Sequence, residues 1–90
     1  MGHLLAHEEI HEKQQEEYGV QKWWDRYLID KDFRLSQELE AYRAQYEFFT
    51  RSNKDRNIQY RFLVALAVDL ASEMYGDIIK VYDAIERIKQ

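Results

Sequence analysis

Apolar and polar residues follow a helical period along nearly the whole chain, and the few interruptions fall where loop-forming residues cluster. The pattern predicts a first helix from about His3 to Glu17, stopped near Tyr18-Gly19, where Gly19 can take a left-handed closing conformation. A short second helix carries Lys22, Trp23, Trp24, Arg26, Tyr27 and Leu28, and ends in the charged turn Asp30-Lys31-Asp32, with Asp32 the expected N-cap of the next element. The third helix spans roughly Phe33 to Phe49 and closes in the polar stretch Arg51-Ser52-Asn53-Lys54-Asp55. The fourth, from about Asn57 to Tyr75, is apolar on nearly every side between Phe62 and Val68, the pattern of a core helix surrounded by the others. After Gly76, the residues Ile78, Ile79 and Val81 suit an extended stretch before a last short helix from about Asp83 to Lys89. The expectation is therefore an all-α fold, a compact bundle of four to five helices forming one domain over residues 1–90.

Composition narrows the chemistry. A chain of 90 residues buries a modest fraction of its surface, so a bound metal could contribute materially to its stability. There is no cysteine, which excludes disulfides and thiolate metal sites and leaves imidazole and carboxylate as the strong ligands; a reducing compartment is permitted. The 17 acidic residues outnumber 13 basic ones, which are scattered rather than gathered into a stripe, so nucleic acid is not an expected partner. The longest apolar run, from Phe62 to Val68, falls far short of the about 20 residues a membrane span needs. No charged n-region precedes an apolar stretch at the amino terminus, and the expectation is a soluble, cytoplasmic protein.

The segment His7-Glu8-Glu9-Ile10-His11 matches H-E-x-x-H on the first predicted helix. Residues four apart project from one face, so His7 and His11 can offer two imidazole nitrogens to one zinc ion while Glu8 flanks them as the candidate general base. At about 100° per residue the same stripe gathers His3, His7, Ile10, His11, Gln14 and Tyr18, with Glu9, Glu12, Lys13 and Glu16 on the far side. Rings turned inward need partners, which a metal, or carboxylates and carbonyls of neighbouring helices, would provide. Gln14 lies one turn beyond His11, placed to hydrogen-bond a ligand or to end the helix as an ordinary polar residue. His3 reads as a surface or N-terminal histidine, and Trp23 and Trp24 cannot both point inward.

A third ligand should come from another helix. On the third, the neighbours of Glu38 on its face are Arg34, Leu35, Ala41, Tyr42, Gln45 and Phe49, a mostly apolar set. Glu40 lies opposite, with Ser36, Arg43 and Glu47, as a solvated charge would. Glu38 is therefore the carboxylate out of place, and it needs a cation: a metal, or Arg34 one turn earlier.

These segments, HEEIHEKQ, WWDRYL, FRLSQELEAYRAQ and LASEMYGDIIKVYDAIERIK, together resemble a family of very short gluzincin-type zinc metallopeptidase-like proteins of phage and bacterial genomes. In gluzincins with an E-x-E-A segment the first glutamate is the third zinc ligand; here that phrase is Glu38-Leu39-Glu40-Ala41, so the resemblance nominates Glu38 as well. It implies a minimal zincin-like helical domain, but one lacking the β-sheet that normally precedes the H-E-x-x-H helix and whose edge strand holds the substrate peptide. The cleft is then open, or completed by a second copy or a partner protein. The implied activity is peptide-bond hydrolysis on peptides or proteins, with water activated by zinc on His7, His11 and Glu38 and its proton taken by Glu8. Candidates for stabilising the oxyanion, by residue type, are Tyr42, Tyr46, Arg34 and Tyr75. The competing expectation is a non-catalytic helical protein with a structural zinc site or a partner-binding role.

Overall fold

The computed structural model describes residues 2–90 and contains five α-helices, α1 (Gly2–Tyr18), α2 (Val20–Ile29), α3 (Lys31–Ser52), α4 (Arg56–Leu70) and α5 (Val81–Ile88), with a 3₁₀ turn at Glu73–Tyr75. No strand occurs among the described residues, so the expected all-α bundle is the architecture found. Residues 77–80, expected to be extended, form an irregular link into α5.

Local chemistry accounts for the breaks. Gly19 separates α1 from α2 at φ 87° and ψ 133°, a positive-φ conformation that glycine adopts without a Cβ penalty, although its ψ differs from the left-handed helical closure expected. Asp30, rather than Asp32, caps α3: its side chain accepts the Phe33 amide while Asp32 lies inside the first turn. Asp55 caps α4 by accepting from the Asn57 and Ile58 amides. The fourth helix ends at Leu70, five residues short of the expected Tyr75, and the chain tightens into the 3₁₀ turn before Gly76 turns it at φ 89°.

The central element is α3, which contacts each of the other four helices. The apolar run in α4 had pointed to that helix instead. In fact α4 buries one face, Leu63, Leu66, Ala67 and Leu70, and leaves Ile58, Tyr60 and Val68 exposed. One side of α3 joins Leu39 and Tyr42 to those α4 residues and to Ala84 and Ile88 of α5 in the apolar core. Its other side, toward α1 and α2, is polar: Gln37, Glu38 and Gln45 are all buried there. The helix facing them is equally unusual, since the buried residues of α1 are His7 and Gln14 while Leu4 and Leu5 stand exposed. Buried polar groups cost free energy unless hydrogen-bonded, so this interface needs a complete network to hold.

Candidate metal centre

Helices α1 and α3 run antiparallel, because His3 and His7 meet Gln45, His11 meets Glu38 and Gln14 meets Gln37. This register brings the H-E-x-x-H face of α1 against the one inward carboxylate of α3. The His7 and His11 Nε2 atoms lie 3.1 Å apart, and Glu38 Oε1 lies 3.2 Å from His11 Nε2 and 3.4 Å from His7 Nε2. His7, His11 and Glu38 thus form a group that could hold a metal ion. The Arg34 pairing considered for Glu38 does not form. The Arg34 guanidinium instead donates to the backbone carbonyls of Tyr27, Leu28 and Tyr75, tying the end of α2 to the 3₁₀ turn.

The surrounding hydrogen bonds decide which atoms face the centre. The Gln14 Nε2 group donates to the Gln37 carbonyl (3.0 Å) and to Glu40 Oε1 (2.7 Å), and neither partner can donate back. That fixes the amide orientation, so Gln14 Oε1 faces His11 Nδ1 at 2.8 Å and the Nδ1–H must donate. For His7, Nδ1 lies 2.9 Å from Gln45 Oε1, which only accepts, so with the amide in this orientation the Nδ1–H donates, and Gln45 Nε2 faces His3 Nδ1 at 3.0 Å. Two neutral imidazoles with protons on Nδ1 present bare lone pairs at Nε2, aimed at each other and at a carboxylate oxygen. Three converging lone pairs repel unless a cation sits among them, either a proton or a metal.

The titration behaviour follows from that conflict. Burial favours protonation of Glu38, but hydrogen bonds from His11, His7 and Tyr27 outweigh it and hold the carboxyl at about 2. Burial lowers the pKa of His11, yet the hydrogen bond and charge of Glu38 prevail and raise it. The Tyr27 hydroxyl donates to Glu38 Oε2 at 2.5 Å, leaving Oε1 as the oxygen that faces the histidines; burial, then this hydrogen bond, push the Tyr27 pKa far up, so it stays a donor. Tyr27 stacks on Trp23 at 4.7 Å between centroids, and the Trp23 indole packs edge-on to His11 and donates to Gln37 Oε1.

Trp23 is buried and Trp24 exposed. His3 is not a free surface ring: it accepts from Gln45 and packs edge-on against Phe62 and Phe49. Glu40 is exposed as expected but holds the Gln14 amide. Tyr42 sets its ring edge-on to His7 at 4.6 Å and donates its proton to Asp69 Oδ2 at 2.6 Å, so it has none for an oxyanion. Arg34 is committed to carbonyls, and Tyr46 packs against the apolar core. Tyr75 shares a cavity lining with His7, His11 and Glu38, and its hydroxyl meets that of Tyr42 at 2.9 Å. Gln45 and Tyr27, which orient a histidine and the carboxylate, were missed as partners of the centre. Gln45 had been placed on the Glu38 face, and nothing in the spacing of Tyr27 marks it.

A cleft of about 300 Å³ opens over the group, with Glu8, Trp24, Tyr27 and Tyr75 around its mouth. A second cavity of about 180 Å³ shares His7, Glu8 and Tyr75 with it and reaches Asp69. No helix is long and apolar enough to cross a membrane among the described residues. No protein-family model, curated protein or solved structure matches the chain.

Proposed function

We propose that the protein is a small zinc-dependent hydrolase acting on peptide bonds, with His7, His11 and Glu38 as the metal ligands and Glu8 as the general base. The observation that carries this reading is the ligand triangle. Zinc bonds of about 2.0–2.1 Å at tetrahedral angles put ligand atoms about 3.3 Å apart, and the three donor atoms here are separated by 3.1, 3.2 and 3.4 Å. Imidazole and carboxylate donors suit zinc, and three protein ligands leave the fourth position open toward the cleft. A zinc ion held there would supply Lewis acidity toward water and a scissile carbonyl. Glu8, exposed at the same cleft and one residue from His7, accepts the water proton at its carboxylate and returns it to the leaving amine. Gln14 and Gln45 hold the imidazole tautomers, and Tyr27 holds the carboxylate, so the site is set before any ion arrives.

Metal analysis of protein purified without a histidine tag tests the first half: about one zinc per chain is expected, and His7→Ala should empty the site. Glu8→Gln should keep the metal and lose hydrolysis of unfolded peptides. A second reading, a structural zinc without catalysis, draws on the lack of any strand among the described residues to hold a peptide. It requires Glu8→Gln to match the parent in every hydrolysis assay.

A further inference from the structure

The direction of one hydrogen-bond chain fixes what the cleft offers a ligand. Asp69 takes the Tyr42 proton, and Tyr42 has a single proton to give. The 2.9 Å contact between the Tyr42 and Tyr75 hydroxyls therefore takes its proton from Tyr75. Tyr75 consequently turns oxygen lone pairs, not its proton, toward the cavities it lines. Burial holds Tyr42 and Tyr75 in their protonated forms, the latter pushed up to about 12, so this pattern persists through the neutral range. Next to Tyr75 stand the carboxylates of Glu8 and Asp69, and the second Asp69 oxygen has no partner among the described residues. No lysine or arginine lines either cavity among those residues.

Formal charge points the same way. A divalent ion on two neutral imidazoles and Glu38 carries a formal +1, which Glu8 balances. Asp69, which lines the second cavity with Glu8 and Tyr75, is then the charge without a counterpart. An acceptor-rich wall of this sort repels a carboxylate or phosphate and favours a donor with positive charge.

Resting on the zinc-hydrolase reading, we infer that the cleft selects a substrate with a protonated amine or guanidinium beside the scissile bond, seated against Asp69 and Tyr75. Such a group can come from the amino terminus of a peptide or from a lysine or arginine side chain. The aromatic lining of the cleft, where Trp24 and Tyr27 pack edge-on with centroids 5.5 Å apart, takes the apolar part of the chain.

Equilibrium binding to the zinc-loaded protein tests this without relying on turnover. The probes are short peptides carrying lysine, norleucine or glutamate at one position, each with a free or acetylated amino terminus. The lysine probe is expected to bind about tenfold more tightly than its norleucine isostere at low salt, with the margin shrinking as salt rises. If the terminal amine is the group recognised, the tenfold margin separates free from acetylated probes instead of lysine from norleucine. Asp69→Asn keeps a carbonyl for Tyr42 and removes the charge, and should bring the probes within about twofold of one another. Equal binding of all probes by the parent, or a margin that Asp69→Asn leaves intact, overturns the inference. Loss of the hydrolase reading is seen separately, in zinc content and in the Glu8→Gln assay, neither of which reads the charge preference.

Discussion

The substitution Glu38→Gln separates a metal site from an ordinary buried ion pair, because it removes charge while keeping shape. Holding the Glu38 carboxyl at about 2 instead of its ordinary 4.5 corresponds to about 3 kcal/mol of interaction favouring the ionised form. Most of that comes from His11 and His7, and the same energy appears as the raised pKa of His11, so it is counted once. The two shifts act in opposite directions along the pH axis. The depressed carboxyl contributes stability that is present above 4.5 and lost as pH falls toward 2. The raised histidine contributes stability present below 6.5 and lost as pH rises through its folded value. Without metal, the parent should therefore gain most from this pair between about pH 4.5 and 6.5. There Glu38→Gln should cost up to about 3 kcal/mol. Above the raised pKa of His11 the cost should vanish, since a glutamine amide can donate to one bare Nε2 where the carboxylate could only repel it. Zinc reverses the comparison. At a thousandfold excess over Kd a ligand adds about 4 kcal/mol to the native state, and each kcal/mol moves Tm by about 4–8 °C in a domain of this size. Thermal melts at pH 5.5 and 9, with chelator and with zinc, should show the parent rising by well over 10 °C with zinc and the variant hardly at all. If the variant retains the parent's zinc response, or the parent melts at one temperature with chelator and with zinc, the metal assignment fails.

Three further substitutions probe the supports of the centre. Tyr27→Phe removes the donor to Glu38 Oε2; zinc affinity, measured by competition with a chromogenic chelator, should fall by about 10- to 100-fold. Gln14→Ala frees the His11 tautomer and removes the second donor to the Gln37 carbonyl, which keeps its helical partner, so both zinc affinity and denaturant stability should drop, the latter by about 1 kcal/mol. Gly76→Ala forces a Cβ to within 2.9 Å of the Arg34 guanidinium at φ 89°. Denaturant unfolding should show a loss of about 1–3 kcal/mol, while a zinc stoichiometry that stays at one per chain would separate this turn from the metal ligands.

Why some of this was readable from the chain and some was not comes down to the range of the interactions. Asp30 and Asp32 both fit a cap, and only the chain's path chose the former, whose side chain receives the Phe33 amide. The periodicity of α1 and α3 each places its own residues on a face, which is why His7, His11, Gln14 and Glu38 could be singled out by counting. Glu38 stood out because a charge on an apolar face must be answered by something, and that requirement is local to one helix. The partners that answer it are not local: Tyr27 arrives from α2, and Gln45 reaches His7 because α1 lies antiparallel to α3. A similar limit explains α4. A run of apolar residues from Phe62 to Val68 reports that burial is available, not how many neighbours take it up, and here one face suffices because α3 occupies the centre. The bundle sets a polar, half-dry seam between α1 and α3 beside an ordinary apolar core between α3, α4 and α5. A seam of glutamines, histidines and a carboxylate contributes little hydrophobic stabilisation. Stability alone would favour leucine at such positions; the ion proposed to sit between His7, His11 and Glu38 would give this arrangement its physical reason.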